Sequence, residues 1–215
     1  MSDPIAAVIF DADGTLVDSE APGLDVLHEQ ALALGLVWER AALHERFRGV
    51  RMAECAALLA AEAGHAGPEF AADLLARIRA AMAERFRRGI APMPGAEALL
   101  RRLALPFCVA TNGPREKVEL TLGLTGLLPL LAGRIHSAYE VGSFKPEPGL
   151  FLHAAASLGV EPARCAVVED SLPGVEAGLA AGMRVFSLLP PARTPAPLHE
   201  RVTFIEALAG LDRHF

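Results

Sequence analysis

The sequence predicts a doubly wound parallel α/β sheet carrying an inserted α-helical subdomain, and three observations lead there. Short, unbroken apolar runs recur along the chain, each closed by a polar or glycine-containing turn. Helix-length amphipathic patterns separate most of these runs, and one long stretch near the N-terminus holds helical periodicity without a strand signal. Strands buried on both faces of a parallel sheet read as continuous apolar runs, and strands joined through helices form right-handed crossovers.

The first run, Ala6-Ala7-Val8-Ile9-Phe10, stops at Asp11 and reads as a buried strand. Residues 18–88 then break the alternation. Leu24, Leu27, Ala31 and Leu34 share one helical face, as do Phe70, Leu74, Ile78, Met82 and Phe86. This stretch reads as a helical cap inserted into a core made of residues 1–17 and 89–215. Gly89, Pro92, Pro94 and Gly95 punctuate its exit. The core resumes with a helix over 95–103, a strand over 107–110, helices over 115–122 and 148–158, a strand over 165–168 and a helix over 174–181. Strands over 185–189 and, more weakly, 202–204 complete it, and the Pro-rich stretch 190–197 reads as a surface loop. Both linkers leave beside the carboxyl end of the first strand, so the insert is expected to act as a lid over the edge where α/β sheets bind ligands.

A chain of 215 residues that is 52% hydrophobic and 21% charged is globular rather than disordered. Its net charge of -6 argues against a nucleic-acid footprint and directs expectation to small-molecule partners. The apolar stretch 127–132 is broken by Pro129 and is far too short to span a membrane. Met1-Ser2-Asp3-Pro4 lacks the basic region of a secretory signal, so a cytoplasmic protein is expected, with a monomer as the default state. Cys55, Cys108 and Cys165 have no metal or redox spacing and read as buried free thiols.

The chemistry concentrates in four segments. Phe10-Asp11-Ala12-Asp13-Gly14-Thr15-Leu16-Val17-Asp18-Ser19 follows the first strand, and two carboxylates so close repel unless a cation joins them. Oxygen ligands with room for water and phosphate suit Mg²⁺, and Gly14 lets backbone N–H groups approach a bound anion. Alone, such a motif is more simply an Asx turn. It has company, however. Thr111-Asn112-Gly113 follows the second apolar run, Lys145 sits in Gly142-Ser143-Phe144-Lys145-Pro146-Glu147-Pro148, and Glu169-Asp170-Ser171 follows the run at 165–168. Each has a bland reading as a helix cap, a solvated lysine or a dipole-compatible acid pair. All are nevertheless expected at one carboxyl edge of one sheet, and that convergence outweighs the separate readings.

These four motifs, in this order and spacing, resemble the haloacid dehalogenase-like hydrolases, specifically the phosphatase branch with a Rossmann-like core and a helical cap after the first strand. The resemblance implies that Asp11 is a nucleophile forming an aspartyl-phosphate and that Asp13 is the general acid and base. It implies Mg²⁺ held by Asp11, the backbone carbonyl of Asp13 and Asp170, with Glu169 either a further ligand or a partner of Lys145. Thr111 and Asn112 would bind phosphoryl oxygens, and Lys145 would balance their charge. Members that cleave carbon–halogen bonds lack a carboxylate at position 13, and phosphonate-cleaving members need a cap lysine that residues 18–88 do not contain. A β-phosphoglucomutase-type transfer is the nearer alternative; Gly23, where such mutases carry histidine, and Thr15 favour hydrolysis. A non-catalytic phosphometabolite-binding role would be expected to lose one of Asp11, Asp13, Lys145 or Asp170, and all four are present. The implied substrate is a small sugar phosphate or sugar-acid phosphate such as 6-phosphogluconate. Glu20, Gly49 and Arg51 are the cap residues expected to read it, while Arg48 reads as a solvated charge.

Overall fold

The computed structural model describes residues 3–65 and 67–215. Met1 and Ser2, part of the segment that bears on a secretory signal, lie outside the described residues. The chain divides into two compact units, Met1–Asp18 with Ala91–Phe215, and Ser19–Ile90. It opens with β1 (Ala7–Phe10) and passes into the second unit, which contains α1 (Glu20–Ala33), α2 (Arg40–Phe47), α3 (Met52–Glu62) and α4 (Pro68–Arg88). The first unit resumes with α5 (Ala96–Arg102), β2 (Phe107–Thr111), α6 (Arg115–Leu124) and α7 (Leu128–Leu131). There follow β3 (Ile135–Ser137), α8 (Ala138–Val141), α9 (Gly149–Leu158), β4 (Cys165–Glu169), α10 (Leu172–Ala180), β5 (Arg184–Ser187) and β6 (Val202–Phe204).

The strands form one six-stranded sheet in the order β3-β2-β1-β4-β5-β6, with every pairing parallel. The expected α/β architecture is therefore present, enlarged by β3, an edge strand that the apolar runs do not signal. Phe10 lies opposite Val109 on one side and Val168 on the other. The chain leaves β1 toward β2 in one direction and reaches β4 in the other, so β1 is the switch point at which sheets of this class open a ligand crevice.

Every residue of β1, β2 and β4 is buried, which is why their sequences lack polar alternation. Leu150, Phe151, Ala154 and Ala155 of α9 pack against Ala7, Ile9, Cys108, Ala110 and Val167, and each large side chain so buried contributes about 1.5–3 kcal/mol. Phe10 and Phe107 meet edge to face with ring centroids 6.3 Å apart. Within the helical unit, Leu24, Leu27 and Ala31 of α1 join Leu43, Phe47, Cys55, Leu59, Leu74 and Ile78 in a separate core. Phe70 and Met82 line its margin. The three cysteines are free and buried, and burial pushes the thiols of Cys55 and Cys108 up to about 12. Among the described residues, no helix is long and apolar enough to cross a membrane.

Candidate active site

The site begins where β1 ends. Asp11 continues the ladder by donating its N–H to the Val168 carbonyl at 3.0 Å, which fixes its backbone beside β4. The chain then folds back: Leu16 and Val17 both donate to the Ala12 carbonyl, and Gly14 donates to Val17. Gly14 has φ +75°, and a Cβ there would collide with the carboxylate of Asp170. A side-chain-free residue is thus what lets two segments 156 positions apart close on each other. Thr15, fully buried, donates its hydroxyl to Asp170 Oδ1 at 2.9 Å.

Lys145 is the electrostatic hub. Its ammonium lies 2.5 Å from Asp11 Oδ1, 2.6 Å from Glu169 Oε1 and 2.7 Å from the Ala110 carbonyl, with its side chain only 3% exposed. The same ammonium stands 4.9 Å from the ring centroid of Phe151. Burial would lower its pKa, but Asp11 and Glu169 more than offset that, so Lys145 stays charged well above its ordinary value. For Asp11 the balance falls the other way. Burial, reinforced by Glu169 and Asp13 and opposed by Lys145, raises its carboxyl to about 7.

Other residues of the site are placed by contacts the sequence does not announce. Both polar atoms of the Asn112 amide engage the backbone of Lys145: Oδ1 accepts from its N–H at 2.9 Å, and Nδ2 donates to its carbonyl at 3.2 Å. The side chain read from sequence as a phosphoryl ligand thus braces the lysine loop. Thr111, buried at the end of β2, accepts from the Gly113 N–H at 3.0 Å. Ser137 at the end of β3 donates to the Gly113 carbonyl at 2.7 Å. Asp13 pairs with Lys117 of α6, a residue that the motif pattern passes over.

Asp11, Glu169 and Asp170 each offer a carboxylate oxygen, all within 4.8 Å of one another. The oxygens of Glu169 are largely engaged: Oε1 accepts from Lys145, and Oε2 from the N–H groups of Asp170 and Ser171 and the Ser171 hydroxyl. Glu169 therefore acts as an anchor for Lys145, and Asp11 with Asp170 are the fitter cation ligands. Four carboxyl groups, Asp11, Asp13, Glu169 and Asp170, face two ammoniums, Lys117 and Lys145, leaving an excess of two negative charges when all four are ionised. An all-oxygen donor set with that excess fits a hard divalent cation.

In the helical unit, Glu20 pairs with Arg48, while Arg51 turns back on Glu54 with Nε 2.7 Å from Oε1. Gly49 between the two arginines has φ +72°.

A parallel sheet whose switch point gathers an aspartate, a buried ammonium and an acidic cation cradle defines a hydrolase-type α/β enzyme. The chain belongs to the haloacid dehalogenase-like hydrolase family, whose model matches residues 5–182. It is 32% identical over 207 residues to the 6-phosphogluconate phosphatase of Escherichia coli, covering 96% of this chain and 93% of that protein. It is 34% identical over 194 residues to hexitol phosphatase A of the same organism, covering 87% and 84%. A family hydrolase from Deinococcus radiodurans, solved with bound phosphate and sodium, superposes with a TM-score of 0.74 at 33% identity, covering 97% of this chain and 93% of that one. The chain is a phosphoric monoester hydrolase.

Proposed function

We propose that the chain is a Mg²⁺-dependent phosphatase of a small sugar phosphate or sugar-acid phosphate, with 6-phosphogluconate the first substrate to test. The observation that carries this reading is the contact of Lys145 with both Asp11 and Glu169 at the carboxyl edge of β1 and β4, beside Asp170. Likeness along nearly the whole chain to a 6-phosphogluconate phosphatase supports the substrate class. Buried free thiols suit a reducing, cytoplasmic setting.

In this reading a carboxylate oxygen of Asp11 attacks phosphorus, forming an O–P bond as the ester O–P bond breaks, and the departing oxygen takes a proton from Asp13. Water then attacks phosphorus, Asp13 takes its proton, and the bond to Asp11 breaks to release inorganic phosphate. Lys145 opposes the protonation of Asp11 and holds it in place, while the Thr111 hydroxyl and the Asn112 amide would bind the phosphoryl oxygens. Asp11 and Asp170, with the Asp13 carbonyl, would hold Mg²⁺, which when bound stabilises charge developing on the phosphoryl group. Glu20, Gly49 and Arg51 of the helical unit would read the remainder of the substrate.

The experiment is a phosphate-release screen across sugar phosphates with and without Mg²⁺, including 6-phosphogluconate and β-glucose 1-phosphate. Release from a sugar phosphate that vanishes with a chelator and with Asp11→Asn is the expected result. Release retained by folded Asp11→Asn rejects the nucleophile, and interconversion of β-glucose 1-phosphate without release rejects hydrolysis.

A further inference from the structure

Of the twenty basic residues only Lys117 and Lys145 are lysines, and each sits on one aspartate of the opening motif. Every other ion pair among the described residues uses arginine or histidine. A chain that otherwise meets carboxylates with guanidinium forks places its two compact ammoniums at Asp11 and Asp13. Lys117 is moreover the third residue of α6, where the helix dipole disfavours a cation. Its neighbour Arg115 is matched there by Glu140, so Asp13 is the carboxylate that makes the position of Lys117 tenable.

The need runs both ways. Asp13 stands two residues from Asp11, close enough to raise the Asp11 carboxyl, and Glu169 and Asp170 add to the negative field. Left to that field, the Asp13 carboxylate would rotate away from the cluster toward water. The Asp13 and Lys117 side chains are 30% and 22% exposed, so the pair is reached by solvent, unlike the buried contact of Lys145 with Asp11. Helix α6 begins just after the Thr111–Asn112–Gly113 loop, so the ammonium is rooted next to the segment assigned above to the phosphoryl oxygens.

We propose that Lys117 is a positioning residue for proton transfer to the leaving oxygen, acting through Asp13. This rests on the reading of Asp13 as the general acid, and the test separates the two. Wild type, Asp13→Asn, Lys117→Met and the double variant are compared on 6-phosphogluconate, whose alkoxide needs a proton to leave, and on p-nitrophenyl phosphate, whose phenolate does not. Asp13→Asn is expected to lower kcat/KM, which reports ester cleavage and not the later attack of water, by about 10²-fold or more on the alkyl ester, and Lys117→Met by about 10-fold, with losses under about 3-fold on the aryl ester. The double variant is expected to match Asp13→Asn alone within about 2-fold, the non-additivity of residues that act as one unit. Lys117→Gln repeats the test should Met disturb α6. A leaving-group effect for Asp13→Asn with equal losses on both esters for the Lys117 variants, or additive losses in the double variant, overturns this inference alone. Equal losses for Asp13→Asn on both esters sink the acid role and this inference with it.

Discussion

Asn112 grips the backbone of Lys145 at both ends of its amide, accepting from the lysine N–H at 2.9 Å and donating to the lysine carbonyl at 3.2 Å. The carboxyl end of β2 is thereby tied to the loop preceding α9, and the Lys145 ammonium arrives at Asp11 from a fixed backbone. Two hydrogen bonds contribute about 1–3 kcal/mol between them. Asn112→Ala is expected to lower stability by that amount in urea unfolding. It is also expected to cost about 10-fold in kcat with a smaller change in KM, because small displacements of a catalytic group weigh on the transition state. A KM effect alone would return the Asn112 side chain to direct substrate binding.

Removing the lysine itself is far costlier. Lys145→Met leaves Asp11 and Glu169 facing each other without a buried counter-charge, and breaking such a pair costs about 3–5 kcal/mol. The surviving carboxyls answer by binding a proton in the folded state. Groups whose folded pKa is raised stabilise the fold at low pH and lose that contribution as pH climbs through the raised value. The variant is therefore expected to be distinctly more stable at pH 5 than at pH 8 in denaturant unfolding, and an equal deficit at both values would contradict the pairing.

Much of this arrangement is legible in the residues, for identifiable reasons. Asp11, Thr111 and Glu169 end strands whose apolar runs are unmistakable, so the shared edge follows from β1, β2 and β4 alone. What escapes has equally physical causes. β3 is three residues long with a half-buried histidine at its centre, too short to display any period. Leu188 and Leu189 extend the apolar run of β5, yet the strand stops at Ser187, whose hydroxyl turns to accompany the chain by donating to the Leu189 carbonyl. Asn112 shows its donor and acceptor in the sequence, but not the loop 33 residues on that engages both atoms. Lys117 is hidden among helix charges, and its place as one of only two lysines in an arginine-rich chain is the one trace of it in the sequence.

The Asp11 carboxyl gives a pH-dependent signature. Burial, with Glu169 and Asp13, lifts it from 3.8 to about 7 without a cation. Its contribution to folding is complete below about pH 4 and fades as pH rises through 7. Lys145, with a raised value, stays protonated throughout and leaves that window to Asp11. Only ionised Asp11 can ligate a metal, so saturating Mg²⁺ is expected to raise Tm markedly more at pH 8 than at pH 5.5. Thermal unfolding with and without Mg²⁺ at the two pH values measures this, and a larger shift at the lower pH would remove Asp11 from the ligand set.

Thr15 offers the most selective way to probe that ligand set, because it touches Asp170 without belonging to the reacting groups. Its hydroxyl donates to Asp170 Oδ1 at 2.9 Å from a fully buried position, while the bare Gly14 beside it admits the carboxylate. The Thr15 hydroxyl thus helps to orient the Asp170 carboxylate. Thr15→Val keeps the shape and deletes the donor. Loss of a partner that orients a metal ligand weakens metal affinity by about 10–100-fold. The apparent Mg²⁺ requirement is expected to rise by that factor, with most of kcat recovered at saturating Mg²⁺, since Asp11, Asp13 and Lys145 are untouched. Titration of activity and of Tm with Mg²⁺ reads both quantities; a kcat loss that high Mg²⁺ does not repair would mean that the Thr15 hydroxyl serves the phosphoryl group and not the orientation of Asp170.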